Sequence, residues 1–310
     1  MQIVRGLDRY PADAAGPSVV AQGTFDGLHL GHQAVIRTAV ERARALGVRP
    51  VVVTFDPNPV AVLRPPEAPP EILPLAERLE GIEALGPELC LVIPFTPEFS
   101  RMEAEAYVRD VLLGQLHARE VVVGFNHTFG RAARGTPELL ARVAGPAGVR
   151  VHVVPPLRVH GVAVSSTSVR EALREGDVRL VAALLGRPYT FRGVVARGAA
   201  RGRALGFPTA NLAAPPSLLL ADGVYAGRAT WDGESAAAVV NVGVRPTFDG
   251  GTRLVEAHLL DVAPDLYGRQ LALAFLERVR PERRFASIEA LRSQIAEDVR
   301  AARRVLSATR

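Results

Sequence analysis

Gly23-Thr24-Phe25-Asp26-Gly27-Leu28-His29-Leu30-Gly31-His32-Gln33 is the stretch that decides how the chain reads. It follows the apolar run Ser18-Val19-Val20-Ala21 and leads into a helix-patterned segment, Ala34 to Leu46. A strand that turns through glycines into a helix leaves backbone N–H groups free at the helix N-terminus, where the dipole favours anions. Two histidines either side of a glycine at that switch suit a triphosphate, whose charge would raise their pKa values and strengthen the contact. An isolated H-x-G-H also reads as two ordinary loop histidines. The flanking Gly-Thr-Phe-Asp-Gly and the strand–loop–helix setting favour phosphate.

Outward from this loop, the first half alternates short apolar runs with helical patterning. Strands are expected at Ser18–Gln22, Pro50–Phe55, Leu89–Ile93, Glu120–Gly124 and Val149–Val154. Helices are expected at Gln33–Leu46, Leu75–Leu85, Ala104–Leu116 and Pro137–Val143, and from Ser165–Thr167 to about Leu185. Nearly continuous apolar strands alternating with helices indicate a doubly wound α/β domain with a parallel sheet. Ligands of such sheets bind beyond the carboxyl ends of the strands, where the histidine loop falls. Near Gly186-Arg187-Pro188 the pattern changes to short strands at Phe191–Val195, Val224–Trp231, Ala237–Val242, Leu254–Leu260 and Leu271–Glu277. Turn signals at Asp222-Gly223, Asp232-Gly233 and Asp249-Gly250-Gly251, with Pro215-Pro216, suggest a small antiparallel β-barrel. A C-terminal helix with an apolar stripe at Ile288, Leu291, Ile295 and Val299 should pack on it. The expected domains are residues 1–186 and 187–310.

Composition sets the limits. A chain of 310 residues, 48% hydrophobic and 22% charged, is long enough for two soluble domains. No segment has the length of a membrane span and the N-terminus lacks a signal-peptide core, so a cytoplasmic protein is expected. The single cysteine, Cys90, lies in the apolar run Leu89–Ile93 and reads as a buried structural thiol. All 37 basic residues are arginine. Walker-type, Schiff-base and K-M-S-K-S lysines are thereby excluded, and phosphate chemistry must use arginine, histidine, backbone amides and metal. The arginines are scattered among acids without a basic tract, so no nucleic-acid partner is expected.

Other segments fall at the same sheet edge. Thr54-Phe55-Asp56-Pro57-Asn58-Pro59, Pro94-Phe95-Thr96 and Gly124-Phe125-Asn126-His127-Thr128-Phe129-Gly130 each end a strand. Val164-Ser165-Ser166-Thr167-Ser168-Val169-Arg170 opens a helix with hydroxyls and an arginine, suiting nucleotide phosphates or serving as a plain N-cap. In the second half, Gly193 and Gly198 punctuate an arginine-rich loop ending in Arg201-Gly202-Arg203-Ala204-Leu205-Gly206-Phe207-Pro208-Thr209-Ala210-Asn211. Thr209 and Asn211 offer hard oxygen donors for Mg²⁺, or form a locally satisfied turn. Leu254, Glu256, His258 and Leu260 share one strand face, where a carboxylate among apolar residues needs either solvent or a task.

Gly23–Gln33, Thr54–Pro59, Gly124–Gly130 and Val164–Arg170 resemble the nucleotidyltransferase half of the bacterial bifunctional riboflavin kinase/FAD synthetases. Gly206–Asn211 matches their G-F-P-T-A-N hallmark. Asn241-Val242-Gly243-Val244-Arg245-Pro246-Thr247-Phe248 and Glu256–Asp261 match further kinase segments. The resemblance implies ATP-dependent phosphorylation of riboflavin to FMN in the C-terminal domain and adenylylation of FMN to FAD, with release of pyrophosphate, in the N-terminal one. It implies that Gly23, Thr24, Phe25, Asp26, His29, His32, Asn126, Ser165, Thr167 and Arg170 hold ATP, with His29 and His32 stabilising the transition state. It further implies Glu256 as general base, Gly206, Phe207, Pro208, Thr209, Asn211 and Arg280 around ATP and flavin, and Mg²⁺ on Thr209 and Asn211. The sequence departs from the family at His127, often phenylalanine, and Asn58, often histidine. Homo-oligomer formation stays open. A different nucleotidyltransferase would leave Gly206–Asn211 and Glu256 idle, and the barrel as a mere flavin-binding module is the other alternative.

Overall fold

The computed structural model describes residues 1–11, 16–197, 202, 206–215, 218–245 and 252–308. Gly198, Arg201, Arg203–Leu205, Pro216, Pro246–Phe248 and the Asp249–Gly251 turn therefore lie outside the described residues. The chain divides into two compact units, Met1–Ser166 and Thr167–Arg310.

The first unit is built on six parallel strands: β1 (Gln2–Arg5), β2 (Ser18–Gln22), β3 (Arg49–Asp56), β4 (Leu89–Pro94), β5 (Ala118–Gly124) and β6 (Arg150–Val154), in the order β1-β4-β3-β2-β5-β6. Strand β2 is buried at every position, as its unbroken apolar run requires. Helix α1 (Leu30–Leu46) follows it, and α2 (Pro59–Leu63), α3 (Leu75–Glu83), α4 (Ala104–Ala106, continued by a π-helix Tyr107–Gln115) and α5 (Pro137–Ala144) join later strands. Val20, Val53, Leu91 and Val121 from the sheet pack with Val108, Leu112 and Leu140 from the helices. The topology has one consequence for function. The chain steps from β2 to β3 to β4 in one direction, then returns to place β5 on the other side of β2. Diverging connections of this kind open a crevice at the carboxyl ends of the two strands. The loops leaving it are Gly23–His29 and Phe125–Gly130.

The second unit carries α6 (Ser166–Glu175), whose first residue belongs to the first unit, and α7 (Val178–Leu185). The single helix expected here is broken because Gly176 adopts φ 77° and Asp177 caps α7, accepting a bond from Leu180 N at 2.9 Å. Both helices pack with the barrel: Ala221 N donates to Leu173 O at 2.9 Å, Arg278 donates to Glu175 O, and Arg179 pairs with Glu277. Compactness therefore divides the chain earlier than its change of pattern does. The barrel is closed and antiparallel. It contains β9 (Tyr189–Ala196), β10 (Ala210–Ala213), β11 (Gly223–Trp231), β12 (Glu234–Arg245), β13 (Thr252–Leu259) and β14 (Gln270–Arg280), ordered β10-β13-β12-β11-β14-β9; the short hairpin β7 (Arg158–Val159) and β8 (Val162–Ala163) precedes α6. Leu212, Val240, Val242, Val255, Ala257 and Phe275 fill the interior. Helix α8 (Ile288–Ala308) lies against the outside through Val299, Ala302 and Val305. Its buried stripe starts later than the sequence suggested, since Ile288 is 66% exposed.

Candidate active sites

His29 is the N-cap of α1, and its Nδ1 accepts the His32 backbone N–H at 3.2 Å. A nitrogen that accepts carries no proton, so the neutral ring keeps its hydrogen on Nε2, facing away from the cap. The His32 ring stacks on His29 at 3.6 Å between centroids, and Phe25 meets His32 edge-on at 5.4 Å. Gly31 permits this stack: a Cβ there would come within 3.2 Å of the His29 ring. The sequence pattern H-x-G-H thus describes a helix cap whose two imidazoles are held together at an N-terminus.

The remaining loop residues anchor it. Asp26 is 1% exposed, and its Oδ1 accepts from Ile72 N at 2.9 Å and Leu73 N at 3.3 Å. The Asp26 carbonyl accepts from Ser166 Oγ at 2.9 Å, tying the start of α6 to the loop. Ser165 precedes that hydroxyl, while Thr167 and the buried Arg170 follow it in the helix. Thr24 O accepts from Thr54 Oγ1 at 3.1 Å and from Arg78 at 2.9 Å. Gly23 leaves β2 with its N–H on Val53 O, and Phe25 and Leu28 are held at positive φ.

Asn126 and Phe125 are exposed at the end of β5. His127 stacks on Phe129 at 5.7 Å and burial drives its pKa down to about 4, so it is a neutral aromatic ring at pH 7. That is how a histidine serves where the family often has phenylalanine. Phe129, Tyr107, Phe99, Phe95 and Phe55 continue the ring contacts along the carboxyl ends of β5, β4 and β3. Asn58, the other departure, caps α2 by accepting Val60 N at 3.1 Å. Cys90 is fully buried and its thiol is pushed up to about 12, which leaves it inert.

On the barrel, the Gly206–Asn211 segment is not all loop. Its last two residues begin β10, which closes the barrel between β9 and β13. Asn211 pairs directly with Glu256, and Glu256 pairs with Asn241 on its other side. Their alternate neighbours Leu212, Val255 and Val242 point inward, so Asn211, Glu256 and Asn241 form one row on the outer face. His258, two residues on, must donate from Nδ1 to Pro208 O at 2.8 Å, because a carbonyl only accepts. Phe207 meets its ring edge-on at 5.5 Å. Asn211 Nδ2 donates to Thr209 O at 3.2 Å, which leaves the amide oxygen as its acceptor end. The Glu282 carboxylate lies against Gly243, where a Cβ would collide with it. Desolvation there, then the charge of Asp222, opposed by Arg280 and reinforced by Glu256, raises its pKa.

Arg280 lies elsewhere in the bonding scheme. Its guanidinium grips Asp298 of α8 at 2.8 to 3.1 Å, and Asp298, 2% exposed, also accepts from Gln294 at 2.9 Å. The remaining nitrogen donates to Pro281 O at 3.0 Å, and Phe285 sits 5.6 Å away. Three residues escaped the sequence reading. His258 shares the face of Glu256, Asn241 opens a quoted segment, and Arg78 interrupts the buried face of α3 beside Leu79 and Ile82.

The sequence pattern of the family described as FAD synthetase matches residues 12–168, and that of riboflavin kinase matches residues 185–306. The bifunctional riboflavin kinase/FMN adenylyltransferase of Escherichia coli K12 is 33% identical over 311 residues, covering 100% of this chain and 99% of that one. Its counterpart in Pseudomonas fluorescens is 38% identical over 304 residues, covering 98% and 97%. A solved Streptococcus pneumoniae structure described as a macrolide-efflux protein superposes with a TM-score of 0.88 at 32% identity, covering 98% and 99%. Among the described residues of this chain no helix is long and apolar enough to cross a membrane. The chain belongs to the bifunctional riboflavin kinase/FMN adenylyltransferases, enzymes that phosphorylate riboflavin to FMN and adenylylate FMN to FAD.

Proposed function

We infer that the two reactions are divided along the chain, with FMN adenylylation in residues 1–186 and riboflavin phosphorylation in residues 187–310. The observation that carries this division is where the acids stand. The one carboxylate of the histidine loop, Asp26, is turned onto two backbone amides, whereas Glu256 stands beside Asn211 on an outer barrel face.

The nucleophiles differ in the same way. The FMN phosphate is already anionic at pH 7, so its attack on the α-phosphorus of ATP needs alignment and charge neutralisation but no base. The His29 Nε2–H, His32, the free N–H groups opening α1, and Asn126 are suited to the charge developing on the transferred phosphoryl. Ser165, Thr167 and Arg170 are suited to the β- and γ-phosphates that leave as pyrophosphate. Gly23, Thr24, Phe25 and Asp26 shape the loop around them.

The 5′-hydroxyl of riboflavin must lose a proton as it attacks the γ-phosphorus and ADP leaves. Glu256 accepts that proton. Gly206, Phe207 and Pro208 bring Thr209 and Asn211 to Glu256 through the His258 bond, and Arg280 frames the flavin side by fixing β14 to α8. Two neutral oxygen donors fit a Mg²⁺ that arrives on nucleotide phosphates and keeps several waters. When bound it would neutralise charge on the β- and γ-oxygens. Thr209 Oγ1 and the Asn211 amide oxygen would hold it. The substrates and the inert thiol suit the cytosol.

The test is the full-length chain with riboflavin, ATP and Mg²⁺, resolved by chromatography. FMN should accumulate first, then FAD with stoichiometric pyrophosphate. Absence of either flavin product would overturn the assignment of the corresponding half.

A further inference from the structure

Arg78 is fully buried, yet no carboxylate among the described residues lies within ion-pair distance of it. One terminal nitrogen donates to Thr24 O at 2.9 Å and the other to Phe55 O at 3.1 Å. The Nε–H is also buried and meets no partner among the described residues. Arginine cannot shed its proton to escape such a site. A permanently charged group with only carbonyl dipoles for company is expensive to bury, and a long apolar side chain of similar shape would cross the same space more cheaply. The charge therefore needs an account of its own.

Its two contacts supply one. Thr24 lies in the loop that joins β2 to the histidine cap, and Phe55 lies at the carboxyl end of β3. In a trans peptide the C=O and the following N–H point in opposite directions. Drawing Thr24 O down onto the guanidinium therefore turns the Phe25 N–H outward, on the loop side remote from Arg78. Phe25 itself sits at φ 52°, a conformation the loop keeps only if its neighbours are fixed.

We propose that Arg78 is a positioning residue for the triphosphate of the N-terminal site. It fixes the peptide that presents Phe25 N–H and places an unneutralised positive charge beneath the histidine loop. This rests on the assignment of ATP to that loop. Arg78 reaches the anion only through the loop and through its field, which a low-dielectric interior transmits well.

The test uses the full-length chain making FAD from supplied FMN and ATP, with pyrophosphate and adenosine as inhibitors. One ligand is a polyanion and the other is neutral. A field and an oriented amide matter only to the first, whereas a scaffold that merely collapses weakens both. In Arg78→Met the inhibition constant of pyrophosphate should rise about tenfold while that of adenosine stays within about twofold. Arg78→Lys, which keeps the charge, should recover most of the pyrophosphate affinity. Riboflavin phosphorylation in the same samples should hold at the unsubstituted level. If Arg78→Met fails to fold, Arg78→Gln carries the same comparison. Parallel loss of both inhibitors, or no change in either, would overturn the inference alone. An unsubstituted chain that makes no FAD would overturn it together with the site assignment.

Discussion

The sheet edge of the first unit and the outer barrel face of the second present phosphate chemistry in opposite styles. At the sheet edge the polar groups belong to loops: a histidine cap, free helix amides and carbonyls tied to a buried arginine. On the barrel they belong to strands, in a row of Asn211, Glu256 and Asn241 set by cross-strand register. The difference follows from the nucleophile. An ionised phosphate asks the protein for positive potential, which helix termini and imidazoles supply. A hydroxyl asks for a proton acceptor at a fixed distance, and a strand holds a carboxylate more rigidly than a loop does.

Substitutions can break that comparison where it is strongest. Replacing Glu256 by Gln keeps shape and polarity but removes the base. Riboflavin phosphorylation should fall by about 10²- to 10⁴-fold, with FAD formation from supplied FMN unchanged, in assays of the two reactions side by side. His29→Asn keeps an oxygen that can cap α1 but loses the Nε2–H. It should lower FAD formation about 10²- to 10³-fold, leave FMN formation intact and barely alter the melting temperature. A comparable drop in melting temperature would make His29 a cap and nothing more.

Smaller effects concern stability. Asp298→Ala strands the Arg280 charge beneath α8 and should cost about 3 to 5 kcal/mol in denaturant unfolding. If riboflavin KM is unaffected under conditions where the variant is folded, Arg280 acts through α8 and not on the flavin.

Two groups of the first unit titrate oppositely. His127 is held neutral, so the unfolded chain takes up protons first. Its contribution is lost as pH falls from 6.5 towards 4, and His127→Phe should flatten melting temperature over that window. Glu120 is held down to about 2, first by its bonds to Arg42, with His152 adding to them. Its contribution persists below the His127 window and disappears only as pH falls from 4.5 towards 2. Glu120→Gln should remove that lower limb of the melting curve and leave the upper one.

What could be read from sequence follows the same division. Strand β2, the histidine loop and α1 were legible because an unbroken apolar run, glycines and a 3.6-residue period all agree locally. Strand β1 was not, since only one of its four residues is buried. Strand β10 hid inside its own motif: four residues after Pro208 look like a loop until β9 and β13 flank them. Among site residues, those named by short motifs were legible and those acting from beneath were not. Arg78 looks like a solvated helix charge, because which face of α3 is buried depends on a sheet edge remote in sequence. Register alone brings Asn241 to Glu256, and no periodicity in either segment reports it. Arg280 illustrates the converse, since its partner Asp298 lies eighteen residues on, in another element.

The most direct trial of the account mixes the two crippled proteins. Glu256→Gln and His29→Asn, each given riboflavin, ATP and Mg²⁺, should separately yield almost no FAD. Combined, they should make FAD after a lag in which FMN accumulates, because each supplies the half that the other lacks. A mixture as inert as its components would contradict the claim that one chain carries two independent phosphate sites with different chemical needs.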